Sequence, residues 1–276
     1  MSKLKVLDLF SGIGGFSLGL ERTGGFETVA FCEIEEFPRK VLAKHWPKVP
    51  IYHDVRELTA ERLAADGIGV DVICGGFPCQ DISTAGKGAG IGGERSGIWK
   101  EYARLIGELR PRFAIMENVA ALLSRGIDVV LGDLAEIGFD AEWHCIPASA
   151  IGAHHRRDRL WLVAHNDCQR ELQQSRRVKD VWNWFSDSGQ DVSDAVRVRQ
   201  PKSWWAIHAS HSTSNGNWQV NRAFNDSGWP IEPDVGRMAY GVPNRMDRLK
   251  ALGNAVVPQI PELIGNAILK SLEAKA

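Results

Sequence analysis

Leu4-Lys-Val-Leu-Asp-Leu-Phe10 is a short apolar run that stops at Ser11-Gly12-Ile13-Gly14-Gly15 and resumes, from Phe16 to Arg22, with helical periodicity. A buried strand, a turn of glycines and an amphipathic helix, in that order, commit a chain to layered α/β architecture. The glycines let the backbone approach a ligand closely, as a nucleotide-type cradle requires. A second strand, Glu27 to Cys32, ends at Glu33, nineteen residues after Gly14. An acid at that distance can hydrogen-bond ribose hydroxyls. The glycine turn alone is a weak signal, because many turns are glycine-rich; the turn with its acid is a stronger one.

The pattern repeats downstream. A helix from Glu35 to His45 and a short strand, Ile51 to His53, lead to Asp54, which serves equally as a ligand-binding acid or as the cap of a helix over Arg56–Ala65. Val70 to Ile73 reads as a buried strand, and Gly75-Gly76-Phe77-Pro78 is expected to turn the chain. Cys79 follows that turn. In an open α/β sheet, chemistry collects beyond the carboxyl ends of strands. A thiol there is free to react, whereas Cys74, inside the strand, is expected to be packed and inert. A lone cysteine is more often a small buried hydrophobe than a nucleophile, so its neighbours must decide.

Those neighbours carry chemistry. Thr84 to Arg95 holds five glycines and reads as a lid. After a helix over Ile98–Leu109, the strand Phe113–Met116 stops at Glu117-Asn118, which brings a carboxyl to the sheet edge that carries Cys79. A helix over Asp128–Ile137 and a strand over Glu142–Pro147 follow. Next, His154-His-Arg-Arg-Asp-Arg159 opens as a basic cluster and runs into the apolar segment Leu160–Ala164. Arg157 and Arg159 alternate, so in an extended segment they share one face. Two arginines on one face suit phosphate or carbonyl recognition; a solvated basic edge is the plainer alternative.

Composition excludes several classes. Five cysteines, an odd number with no C-x-x-C pair, argue for a reducing compartment and against a disulfide framework or a zinc site. No apolar run reaches membrane-spanning length, and the N-terminus enters a strand directly, so a cytoplasmic protein without a signal peptide is expected. Residues 1–150 carry 16 Lys+Arg against 21 Asp+Glu, and residues 151–276 carry 17 against 13. That split suits a polyanion gripped from the C-terminal side. Between 166 and 244 the periodicity fades, yet six of the ten tryptophans lie there, too aromatic for a disordered segment. Order returns at Arg248-Leu-Lys-Ala-Leu-Gly253-Asn254-Ala255-Val256, followed by a helix from Gln259 to Leu272 with one apolar face.

Taken in order, these motifs resemble the DNA (cytosine-5)-methyltransferases of the bacterial restriction-modification or phage type. Phe10-x-Gly12-Ile13-Gly14 is similar to the family's methyl-donor loop, Glu33-Ile34 to its ribose-binding acid and neighbour, and Asp54-Val55 to the pair that reads the donor's adenine. Pro78-Cys79-Gln80 resembles the nucleophile motif, and Glu117-Asn118-Val119 the motif of the cytosine-protonating glutamate. His155-x-Arg157-x-Arg159 is similar to a Gln-x-Arg-x-Arg motif against the flipped base, with His155 where glutamine is usual. Gly253-Asn254-Ala255-Val256 resembles the last motif, near the donor. The likeness covers residues 4–165 and 233–272.

The resemblance implies a Rossmann-like methyltransferase sheet with helices on both faces. It divides the chain into a catalytic domain over 1–165, a small irregular target-recognition region over 166–244, and a segment over 245–276 that returns to the catalytic domain. S-adenosylmethionine is the implied cofactor, double-stranded DNA the substrate, a separately acting restriction endonuclease a partner, and a monomer the expected state. Cytosine C5 is a poor nucleophile, and a thiolate adding at C6 turns the ring into an enamine able to attack a methyl group. Cys79 needs a cationic neighbour for this, and Arg157 or Arg159 supplies the charge; the resemblance assigns the contact to the base's O2 to Arg159. Glu117 needs a raised pKa to hold its proton, as a desolvated carboxyl would. The alternatives are an RNA-methylating relative, a non-catalytic DNA-binding descendant and a nicotinamide-dependent oxidoreductase, the last of which leaves Pro-Cys-Gln and Arg-x-Arg unexplained.

Overall fold

A computed structural model describes residues 2–78, 97–153, 155–166 and 245–273. Cys79, the expected lid over 84–95 and nearly all of the expected target-recognition region lie outside the described residues.

Seven strands form one sheet: β1 (Leu4–Leu9), β2 (Phe26–Cys32), β3 (Ile51–Tyr52), β4 (Val72–Gly76), β5 (Phe113–Val119), β6 (Phe139–Ile146) and β7 (Arg159–Asn166). Their order across the sheet is β3-β2-β1-β4-β5-β7-β6. β7 runs antiparallel to both its neighbours, and the other pairings are parallel. The helices are α1 (Gly15–Arg22), α2 (Glu36–His45), α3 (Ala60–Ala65), α4 (Gly97–Leu109), α5 (Leu122–Arg125), α6 (Ile127–Glu136), α7 (Arg245–Asn254) and α8 (Gln259–Glu273).

The strands are apolar on both sides because both sides are covered. One core gathers Leu7, Leu9 and Ile73 with Leu63 of α3, Trp99, Tyr102 and Leu105 of α4, and Leu134 of α6. The other joins Val6, Val72 and Ile115 to Phe16 and Leu20 of α1 and to Ile260, Ile264 and Ile268 of α8. The expected α/β sheet with helices on both faces is therefore the observed one. Among the described residues no helix is long and apolar enough to cross a membrane.

Strand order reverses between β1 and β4, since β2 and β3 lie to one side and β5 to the other. The crevice outside the carboxyl ends at such a reversal is where open α/β sheets bind ligands. β7, being antiparallel, delivers its first residue rather than its last to that edge: Arg159 pairs with Val119, the final residue of β5.

Several boundaries differ from those read in the sequence. β4 does not end at Ile73 but runs through Cys74, Gly75 and Gly76, and β5 continues through Glu117 and Asn118 to Val119. β6 begins at Phe139 rather than Glu142, and the helix expected over Arg56–Ala65 is only Ala60–Ala65. Its cap is Thr59, whose hydroxyl accepts from the Arg62 amide. Asp54 caps nothing: it accepts from the Arg56 amide and guanidinium in a local turn. Competition from a side chain against helical bonding explains the late start.

Candidate active site

The donor half is built where β1 meets the glycine loop. Phe10 and Gly12 both have φ 52° and Gly14 has φ 84°, left-handed values that cost Phe10 conformational strain. Phe10 is held there by its ring, stacked 6.0 Å from Tyr102. The Ser11 hydroxyl donates to the Asp8 carbonyl at 2.6 Å and the Gly14 amide to the Ser11 carbonyl at 2.8 Å, closing the turn. The Gly12 amide donates to Glu33 Oε2 and the Glu35 amide to Glu33 Oε1, each at 2.8 Å. The acid therefore sits on the loop that the spacing paired it with.

The surroundings fit an adenosyl group. A Cβ built on Gly12 meets nothing within 4 Å, so the loop faces open space. On Gly14 it would lie 2.6 Å from the Trp46 ring, which walls the loop from behind. Ile34 is 62% exposed directly beside the Glu33 carboxylate, an apolar surface next to a hydroxyl acceptor. Ile13 lies within the loop, and the Asp54-Val55 pair follows β3 on the same edge, with Val55 buried and its carbonyl accepting from Arg104. Ala255 and Val256 complete the wall: the Val256 carbonyl would stand 2.6 Å from a Cβ on Gly15. Asn254 ends α7 beside them.

The catalytic half lies across β4, β5 and β7. Glu117 and Arg159 are diagonal neighbours on adjacent strands, a separation that a long side chain spans. Arg159 Nε meets Glu117 Oε1 at 2.9 Å, and both side chains are largely shielded. Burial pushes the Glu117 carboxyl above its usual pKa, while Arg159 first and Arg157 second pull it back. Burial prevails, so this carboxyl holds a proton more tightly than an exposed one. The extended alternation expected of Arg157 and Arg159 does not hold, because Arg157 adopts φ 33° and breaks the extended backbone. Arg157 instead donates to the carbonyls of Gly253 at 2.7 Å and Ala255 at 2.9 Å.

The glycines in β4 have the composition of a turn, yet they are what lets the halves meet. A Cβ on Gly75 would stand 2.2 Å from the Leu9 carbonyl oxygen, and one on Gly76 would stand 2.8 Å from Glu117 Oε2. β4 thus presses against the donor strand on one side and the acid on the other. Past Gly76, Phe77 is buried against Trp99 at 5.2 Å and Tyr102 at 6.4 Å. Its carbonyl accepts from the Asn118 amide nitrogen at 3.3 Å. Pro78 is exposed at the rim, so the chain enters Pro78-Cys79 from an anchored residue. Phe10 and Phe77 rest on the same Tyr102, which couples the donor loop to the segment leading to the thiol.

Of the other described cysteines, Cys145 is exposed on β6, whereas Cys74 and Cys32 are buried and offer no rival nucleophile. Burial pushes the Cys74 thiol far up, with Asp8 adding to it, and burial with Glu33 and Asp54 drives Cys32 up to about 12. Asp8 was missed by sequence reasoning. It is fully buried beneath the donor loop, its Oδ2 accepts from the Ser17 hydroxyl at 2.7 Å, and its Oδ1 has no partner. Burial, outweighing the Ser17 hydrogen bond, raises its carboxyl to about 7. The available signal was a carboxylate in the middle of an apolar strand.

Similar proteins were found by sequence and by structure. The type II methyltransferase M2.BsuMI of Bacillus subtilis is 36% identical over 169 residues, 58% of this chain and 42% of that protein. M.CviJI of Paramecium bursaria Chlorella virus IL3A, also a type II methyltransferase, is 36% identical over 163 residues, again 58% of this chain and 42% of that one. The chain thus spans about two-fifths of the length of these relatives. An E. coli protein described as a prophage-encoded DNA modification methyltransferase shares the fold, at TM-score 0.65 and 21% identity over 98% of this chain and all of that one. Spodoptera frugiperda DNMT2 does so at TM-score 0.51 and 22% identity, over 63% of this chain and 54% of that one. Residues 4–225, most of the sequence, match the model of the C-5 cytosine-specific DNA methylases, and the chain belongs to that family.

Proposed function

We propose that this chain transfers a methyl group from S-adenosylmethionine to C5 of a cytosine flipped out of duplex DNA, through a covalent bond between Cys79 and C6. The observation that carries the reading is the shielded Glu117 carboxyl, bonded to Arg159 and lying against the last glycine of the strand that leads to Cys79. When bound, S-adenosylmethionine supplies an electrophilic methyl group. Phe10, Gly12, Ile13, Gly14, Glu33, Ile34, Asp54, Val55, Pro78 and Asn254 to Val256 would hold it.

The chain's own residues then do the following. The Cys79 sulfur adds to C6 and pushes electron density through the ring to N3. Glu117, whose hold on a proton burial strengthens, donates that proton at N3. Arg159 binds O2, so charge is met where it develops. Once C5 carries the methyl group, its proton leaves to water, the C6–S bond breaks to return the Cys79 thiolate, and N3 gives its proton back to Glu117. The base must leave the stack, which costs a few kcal/mol. Residues 1–165 would form the catalytic domain, 166–244 would select the target, and 245–276 would return to the donor site. A monomer in the cytoplasm, beside a separate restriction endonuclease, completes the proposal.

Bisulfite sequencing of DNA from a methylation-free bacterial host expressing this chain is expected to show 5-methylcytosine at one short motif, and none with Cys79→Ser. A host genome left unmethylated, with label from the donor entering tRNA instead, contradicts the choice of substrate.

A further inference from the structure

Arg157 sits in a motif that ought to face the base, yet both its hydrogen bonds go elsewhere. α7 ends at Asn254, and the last carbonyls of a helix have no partner within it. A cation there satisfies them and suits the helix dipole. The cation is supplied from 96 and 98 residues away: one Arg157 nitrogen binds the Gly253 carbonyl and the other binds that of Ala255. One residue further on, the Val256 carbonyl abuts Gly15 of the donor loop. A second tie to α7, Lys250 to Glu35, is between exposed side chains and is weak on that account.

We propose that Arg157 is a positioning residue that clamps the turn over residues 253–256 against the donor loop and thereby completes the methyl-donor site. This rests on the donor site proposed above. The left-handed backbone at Arg157 is the conformation from which its planar fork spans two carbonyls. Lysine, whose three donors sit on one compact point charge, lacks the planar fork that aims two separate nitrogens at the two carbonyls. Two residues away, Arg159 binds Glu117, so one short segment braces both halves of the site.

The test uses the full chain with Arg157→Lys and Arg157→Met. Amide hydrogen exchange over residues 254–257, read without donor or DNA, is expected to quicken in both variants. The dissociation constant for S-adenosylhomocysteine is expected to rise by about tenfold or more in both, the scale of losing charge-assisted hydrogen bonds. The loss should fall more heavily on the KM for donor than on kcat, since both hydrogen bonds of Arg157 go to the turn beside the donor loop. Unchanged exchange, full rescue by lysine, or a collapse of turnover with donor affinity intact each overturns the clamp. If wild-type protein binds no S-adenosylhomocysteine, the donor site itself is refuted, and the clamp's part in completing it falls too. Unchanged exchange in the variants, with donor binding intact in wild type, refutes Arg157's role alone.

Discussion

Asp8 shows at the scale of one residue what the donor loop costs. Its carboxyl is buried with one oxygen unpartnered and ionises near 7 instead of 3.8. A folded-state pKa above the unfolded value means the native state binds the proton more tightly. The stability this contributes is complete below about pH 4 and is lost as pH rises towards 7, with no further change above. A difference of this size corresponds to at most ~4 kcal/mol. Asp8→Asn keeps the acceptor for Ser17 and removes the charge, so at pH 8 it should raise the melting temperature, and its gain should vanish near pH 4. Equal melting temperatures for the two proteins at both pH values would show that the carboxyl is solvated. Residue identities of the site were legible where chemistry demands a type, as with Glu33 on the glycine loop and Glu117 at a strand end. Their partners were not: nothing local in the sequence says that Arg157 departs from the path of Arg159, because that depends on a helix end some hundred residues away.

At the scale of elements, the informative error is β4. Gly75 and Gly76 have the composition of a turn, and local propensity alone ends the strand before them. Tertiary contact overrides it. These positions admit no side chain because the β1 backbone and the Glu117 carboxyl occupy the space, the close backbone approach that glycine in a strand often marks. Gly75→Ala should therefore force β1 and β4 apart at a cost of about 1–3 kcal/mol, which lowers the melting temperature by roughly 3–10 °C for a chain of this size. Gly132→Ala is the control, since α6 leaves that Cβ in open space; it should stabilise by about 0.5–1 kcal/mol. Equal melting temperatures in the two variants would mean that β1 and β4 are not packed as described. α5 and α7 were not legible either: α5 has only four residues, and α7 runs on through Gly253 and Asn254, whose composition suggests a turn.

At the scale of the whole molecule, the described residues of separated motifs gather at one edge of the sheet. Parallel strands bring the ends of β1, β2, β3, β4 and β5 to the same side, and antiparallel β7 adds Arg159 by its beginning. This topology was legible as a class, since strand and helix alternate in the sequence, but the reversed β7 was not, because side-chain alternation is blind to strand direction. The C-terminal helix closes the design: α8 packs on α1 through Gly19 and Gly265, where added Cβ atoms would meet Pro258 and Leu20. Thus α8 holds the helix that follows the glycine loop. The central claim is that a thiol and a buried acid meet over one pyrimidine, and duplex DNA made with 5-fluorocytosine tests it directly. Fluorine at C5 cannot leave as the proton does, so the bond from sulfur to C6 is trapped. With S-adenosylmethionine present, mass spectrometry of the denatured protein should find the nucleotide on the peptide holding Cys79, and on no peptide in Cys79→Ser. An adduct on any other residue, or none with wild-type protein that methylates ordinary DNA, would contradict it.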